Sequence, residues 1–228
     1  MTQLAPTYEI IAAALAPHGL TARGGFSLRD GVDQPLKWNG TAISSVVLAG
    51  HAGSSIWPHF QAWRDDHPGQ TDPLDAWSSD VLRRVATELG AQAAFPSDRP
   101  WLPFQQWAMR AEKLDPSPLG LLMHPKYGLW HAYRGALLFH SELQLPDPVA
   151  GRHPCHDCQG KPCLSACPVN AFYEGGYDVG ACRSHLATPA GRNCMEAGCK
   201  ARNACPVGVE YAYTSAQMRF HMDTFATG

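Results

Sequence analysis

Apolar residues recur at helical spacing between residues 74 and 89, where Leu74, Trp77, Val81, Leu82, Val85 and Leu89 share one face. Asp72 followed by Pro73 is a start signal for that helix, and Gly90 is a stop. Residues 8–16 and 104–114 read as two shorter helices, the first ended by Pro17 and Gly19. A further helix is expected from about residue 54, capped by Ser54 or Ser55. The run 42–49 (AISSVVLA) is apolar and partly β-branched, the pattern of a buried strand, and 91–95 reads as another. Residues 119–123 and 129–139 read as paired strands around the turn His124-Pro125-Lys126-Tyr127-Gly128. Two strands adjacent in sequence, set among helices, predict an α+β fold rather than a doubly wound sheet.

Periodicity fades after residue 150, where Gly and Cys become frequent. The first 154 residues hold no cysteine, and all eight cysteines lie between Cys155 and Cys205. Pro146, Pro148 and Pro154 mark the change, which predicts two domains, residues 1–150 and 151–228. The chain is 45% hydrophobic and 17% charged with a net charge of −2, and its longest basic run is the pair Arg83-Arg84. This balance predicts neither a nucleic-acid partner nor binding to a membrane surface. No apolar run approaches the roughly 20 residues that cross a bilayer. The opening residues lack a basic segment followed by an apolar one, which predicts a cytoplasmic protein. Thiols are kept reduced there, so eight cysteines point to metal rather than to disulfides.

The cysteines form two groups. The first is Cys155-x2-Cys158-x4-Cys163-x3-Cys167-Pro168, and the second is Cys182 followed by Cys194-x4-Cys199-x5-Cys205-Pro206. Each ends in Cys-Pro-Val, so the halves repeat loosely. A [4Fe–4S] cube needs one thiolate per iron, and in two-cluster ferredoxins the cysteine before proline serves the other cluster. That rule assigns Cys155, Cys158, Cys163 and Cys205 to one cluster, and Cys167, Cys182, Cys194 and Cys199 to a second. The usual spacing is C-x2-C-x2-C-x3-C-P, and the longer gaps before Cys163, Cys199 and Cys205 leave a three-iron form or altered pairing open. Two four-thiolate zinc sites are the other metal reading.

Eight cysteines in this order, behind a cysteine-free α+β half, resemble the epoxyqueuosine reductases and the reductive dehalogenases. The lone Cys182 in Ala-Cys-Arg-Ser-His-Leu looks like the isolated cysteine of the reductases, and residues 121–128 (LLMHPKYG) resemble their Leu-Leu-Ile-His-Pro-Glu-Tyr-Gly segment. The resemblance implies a nitroreductase-like, corrinoid-binding N-terminal domain, shared with the eukaryotic cobalamin-processing chaperone. It also implies a C-terminal ferredoxin-like module with two [4Fe–4S] clusters. Electrons would pass from a donor such as ferredoxin or flavodoxin, through the clusters, to a cobalamin, making the chain an oxidoreductase. The alternative is a ferredoxin-like carrier without a corrinoid. Asp98 stands where the reductases' catalytic Asp falls, and His124 and Tyr127 are the candidate corrinoid-binding residues. Asp98 also suits a turn before Pro100, and each histidine suits a hydrogen-bonded structural role. The family's Gly-rich segment is replaced by residues 112–119 (EKLDPSPL), and its tRNA-binding repeats have no counterpart, so a tRNA substrate is not expected.

Overall fold

The computed structural model describes residues 5–228 except 30, 32, 34, 149, 150 and 174. Its largest sheet has four strands in the order Thr21–Ser27, Ser45–Ala52, His131–Phe139, Gln92–Ala94. The first two pair antiparallel, with Thr21 opposite Gly50 and a shift of register between Ala22 and Gly25. The last two also pair antiparallel, with Gln92 opposite Leu138. Val46, Val47, Leu48 and Ala49 are fully buried in succession, as are Ala136, Leu137 and Leu138. Burial without alternation means that both faces of the central strands are covered. The covering helices include Tyr8–Leu15 and Phe104–Glu112, packed on the first strand, and Pro73–Leu89, packed on the last.

The 74–89 periodicity forms the helix Pro73–Leu89, with Leu74, Trp77, Val81, Leu82 and Val85 buried. Gly90 ends it at φ 66°, donating its N–H to Ala86. Asp72 precedes it but makes no side-chain cap, because its backbone is left-handed (φ 45°). The Asp72 carbonyl instead accepts the Asp75 and Ala76 amides. The helix expected from residue 54 begins at Trp57. Both candidate capping serines are engaged elsewhere: Ser55 donates to the Gly19 carbonyl at 2.6 Å, and Ser54 accepts the Thr214 amide at 2.8 Å.

Two readings change. Residues 129–139 and 119–123 do not pair with each other. His131–Phe139 is inserted between the strands Ser45–Ala52 and Gln92–Ala94, while Leu122–Met123 pairs with Asp115–Pro116. A nine-residue strand ending in Ala-Leu-Leu-Phe buries far more apolar surface inside a covered sheet than against a two-residue partner. The strand Thr21–Ser27 (TARGGFS) carries Arg and two Gly, and has no alternation by which to read it.

That arginine is the polar centre of the sheet-bearing part. Arg23 is 3% exposed and forms a two-pronged ion pair with Glu112, Nε to Oε1 at 2.9 Å and Nη2 to Oε2 at 2.8 Å. Its Nη1 donates to the His51 carbonyl at 3.1 Å, and the guanidinium lies 4.9 Å from the centre of the Tyr133 ring. The Tyr133 hydroxyl donates to the same carboxylate. Burial first, and the Glu112 charge after it, hold the Tyr133 phenol far above its usual range, despite the opposing pull of Arg23.

The chain divides into two compact units. One comprises Met1–His51, Ser55–Lys113 and Ala132–Ala150; the other comprises Ala52–Ser54, Leu114–His131 and Gly151–Gly228. The second unit is built of short pieces: a hairpin of Phe172–Tyr173 and Gly176–Tyr177, helices such as Pro162–Ser165 and Lys200–Asn203, and a longer helix, Ser215–Thr227. Among the described residues no helix is long and apolar enough to cross a membrane.

Removing one partner of the buried pair leaves a charge that water cannot fully reach. Arg23→Met is expected to lower the unfolding free energy by about 3 kcal/mol, and adding Glu112→Leu to restore most of it. Urea unfolding of the two variants checks this. A loss from Arg23→Met too small to measure would mean that the pair is not holding the sheet to the helix Phe104–Glu112.

Candidate metal centre

Six cysteines belong to the apolar core of the second unit: Cys163, Cys167 and Cys205 are buried in it, and Cys155, Cys182 and Cys199 pack against it. Leu119, Met123, Leu129, Ala171 and Ala201 complete its buried part. All eight cysteines are free thiols.

Their mutual electrostatics sort the thiols into two sets. Burial raises the pKa of Cys155, and Cys205, Cys163 and Cys158 then raise it further. Cys163 is raised by burial and by Cys205 and Cys158, and Cys205 by burial and by Cys158. In the other set, burial raises Cys194 and Cys199, and both are pushed up further by Cys182 and Cys167. Each set therefore takes three cysteines from one stretch and one from the Cys-Pro end of the other. Cys167, Cys182, Cys194 and Cys199 also line one cavity of about 290 Å³.

Short helices and turns aim amides at these sulfurs. The Ala171 amide lies 3.4 Å from the Cys167 Sγ. Amides of Leu164, Lys200 and Val207 bond the sulfurs of Cys163, Cys194 and Cys205, and those of Ala201 and Arg202 bond Cys199; each of these bonds lowers the thiol pKa. Donors aimed at sulfur favour the thiolate, against the burial that disfavours it. Lys200 pulls the Cys194 pKa down as well. Arg202, in the cavity wall, has its guanidinium 4.6 Å from the Trp130 ring centre and 4.5 Å from that of Tyr213. Burial and the neighbouring cysteines keep these thiols protonated, while the amides and Lys200 act in the opposite direction.

Among the described residues no three His, Cys, Asp or Glu side chains come close enough to share a single metal ion. A lone tetrahedral zinc needs its four sulfurs about 3.8 Å apart.

The other sequence-derived candidates lie outside that cavity wall. Asp98 is half-buried in a turn of the sheet-bearing unit, where its carboxylate accepts the Phe95 amide at 2.8 Å and its own amide donates to the Phe95 carbonyl. His124 and Tyr127 belong to the second unit. The His124 Nδ1 accepts the amides of Lys126 and Tyr127 at 3.0 and 3.1 Å, and the two rings stack at 4.2 Å. Reciprocal backbone bonds between His124 and Gly128 close the turn. This turn seats the loop after Cys205. A Cβ on Gly208 (φ 69°) would come within 2.4 Å of the Tyr127 carbonyl carbon, and one on Gly128 within 2.0 Å of the Val207 oxygen.

Three residues of the cavity wall escaped the sequence reading. His185 lies one helical turn after Cys182, on the same face, and its Nε2 is 3.9 Å from the Cys194 Sγ; the i, i+3 spacing was the available signal. Tyr177 and Arg202 carried no such signal, because their places depend on the hairpin and on the packing of Trp130.

Gly208→Ala is expected to destabilise the protein by well over the roughly 1 kcal/mol that a left-handed alanine costs. Gly160→Ala is the control, since Gly160 is equally left-handed (φ 72°) with nothing within 4 Å of its absent Cβ. Equal losses of melting temperature in the two variants would mean that the Gly208 contact with Tyr127 carries no stability.

No protein-family description matches the chain, and no curated protein sequence matches it. Among solved structures, the fold is similar to that of CblC, a B12-trafficking protein of C. elegans and a homologue of human MMACHC. The TM-score is 0.50 over 96% of this chain and 95% of that one, with 12% sequence identity. The likeness is one of fold: it places this mixed α and β chain beside a B12-trafficking protein, and membership of the epoxyqueuosine reductases or reductive dehalogenases does not follow from it.

Proposed function

We propose that this chain is an iron–sulfur redox protein that carries two [4Fe–4S] clusters in its C-terminal part and passes electrons to a corrinoid bound by its N-terminal domain. The observation that supports the first half is the gathering of eight free thiols in one unit, in two neighbourhoods with backbone amides beside several of the sulfurs. Cys155, Cys158, Cys163 and Cys205 would hold one cluster, and Cys167, Cys182, Cys194 and Cys199 the other. Such clusters supply one-electron storage at potentials tuned by charge, hydrogen bonds and solvent. The chain's own part is to bury the sulfurs, direct N–H groups at them and keep water away.

The corrinoid half is supported by the fold likeness to CblC, described as a B12-trafficking protein, and by the sequence resemblance at residues 121–128. In this reading His124 and Tyr127 contact the corrinoid, beside the backbone bonds that His124 accepts. A one-electron protein such as ferredoxin or flavodoxin is the proposed donor. A plain electron carrier is the second reading, and corrinoid binding separates the two.

Anaerobically purified protein is expected to hold about eight iron and eight sulfide per chain. Stoichiometric zinc without sulfide would overturn the cluster assignment. Cys205→Ser is expected to damage the cluster at Cys155 and spare the one at Cys194; loss of the latter alone would contradict the crossed sets. In a separate titration, hydroxocobalamin is expected to bind at micromolar protein with an altered visible spectrum. A spectrum identical to that of free cobalamin, with no heat of binding, would leave the carrier reading in place.

A further inference from the structure

We infer that His124 is an acid-sensitive latch: its neutral ring holds the turn at residues 124–128, and with it the loop after Cys205, and a proton on Nδ1 releases both. The latch lies within the second unit and depends neither on what the eight thiols hold nor on a corrinoid.

One ring nitrogen does the holding. The His124 Nδ1 accepts two backbone amides, that of Lys126 at 3.0 Å and that of Tyr127 at 3.1 Å. A ring nitrogen accepts only while it carries no proton, so the imidazole is neutral and its proton sits on Nε2. A proton on Nδ1 would point one N–H at two others. Both bonds would be lost and the ring would have to turn away. Backbone bonds between His124 and Gly128, at 3.0 and 2.9 Å, close the same turn. Gly128 leaves no room for a Cβ against the Val207 carbonyl, and Gly208 leaves none against that of Tyr127. Turn and loop therefore touch backbone to backbone, and no side chain lies between them to absorb a movement of the turn. Asn or Asp at position 124 would accept the same amides down to about pH 4 or below, whereas histidine accepts them only while neutral, with an ordinary pKa of about 6.5.

The groups around the ring fix the sign. The Tyr127 ring stacks on it at 4.2 Å, and the His131 ring meets it edge-on at 5.7 Å. His131 is buried, with its Nε2 3.0 Å from the Leu122 carbonyl. The Lys126 Nζ lies 5.6 Å from the Tyr127 ring centre and 5.9 Å from that of Tyr211, and Glu210 attracts it. Tyr211 in turn meets Tyr127 edge-on at 4.9 Å. The Lys126 cation, and His131 when protonated, oppose a positive charge on His124. The Tyr127 ring face and Glu210 favour one. A ring face gives less than two hydrogen bonds, and Glu210 is exposed and already faces Lys126, so the neutral ring wins. The unfolded chain, free of the turn, takes up the proton at about pH 6.5. The stability that the latch supplies is therefore complete above that pH and is lost as the pH falls below it.

The test compares the full wild-type chain with His124→Asn by urea unfolding at about pH 7.5 and about pH 5.5. The Asn Oδ1 stands where Nδ1 stood and accepts the same amides at both pH values. On acidification the unfolding equilibrium constant of the wild type is expected to rise about tenfold more than that of His124→Asn, the effect of one proton taken up by the unfolded chain alone. Amide hydrogen exchange, corrected for its intrinsic pH dependence, is expected to quicken over residues 126–128 and 207–208 in the wild type and not in the variant. The same pH dependence in both proteins would overturn the inference, and so would quickened exchange that spares residues 207–208. Should His124→Asn fail to fold, ring-nitrogen magnetic resonance of histidine-labelled wild type carries the test. His124 is expected to hold its proton on Nε2 at the upper pH and to gain a second only below the range of an exposed histidine. A proton on Nδ1 at the upper pH, or titration at or above that range, overturns the inference.

Discussion

Crowding eight thiols into one small unit is the constraint from which the rest of that unit follows. Burial and mutual repulsion both act against the thiolate, and the chain answers with backbone amides, supplied from Leu164, Ala171, Lys200, Ala201, Arg202 and Val207. Amides reach sulfur where the backbone turns sharply. This accounts for four-residue helices such as Pro162–Ser165 and Lys200–Asn203, which are too short to be stable alone. They persist because the cysteines beside them are packed into a common core with Leu119, Met123 and Leu129.

The turn at residues 124–128 serves the same constraint from outside. Its backbone lies against Val207 and Gly208, immediately after Cys205, at distances that allow no side chain at either glycine. Arg202 extends the support, packing against the Trp130 and Tyr213 rings while it donates to the Leu129 carbonyl. A segment that stands out in the sequence as a family-like signature thus also has a mechanical task, holding the loop that delivers one sulfur.

The sheet-bearing unit solves a different problem. Its central strands are buried on both faces, so a polar group there must be fully paired. Arg23 and Glu112, with Tyr133 and the His51 carbonyl, form such a paired cluster and join the first strand to the helix Phe104–Glu112. Glu112 opens the segment that departs from the Gly-rich stretch of the resembling reductases, and here its carboxylate belongs to the core of the sheet.

Features that depend on neighbours along the chain were legible in the sequence. The helix Pro73–Leu89 follows from its 3.6-residue period and from Gly90, and the buried strand around Val46–Ala49 from an unbroken apolar run. The eight cysteines, with their two Cys-Pro ends, marked the candidate site. Features that depend on a distant partner were not legible. Arg23 hid a strand, because its charge is neutralised by a residue 89 positions away. The turn at 124–128 suggested a local hairpin, yet His131–Phe139 pairs with strands far from it in sequence. Ser54 and Ser55 had the chemistry of a helix cap but bond Thr214 and Gly19 instead. Period and spacing are properties of adjacent residues and can be counted along the chain. Which strand fills a covered sheet and which carboxylate meets a buried arginine depend on apolar area removed from water across long stretches of chain, and only the folded structure decides them.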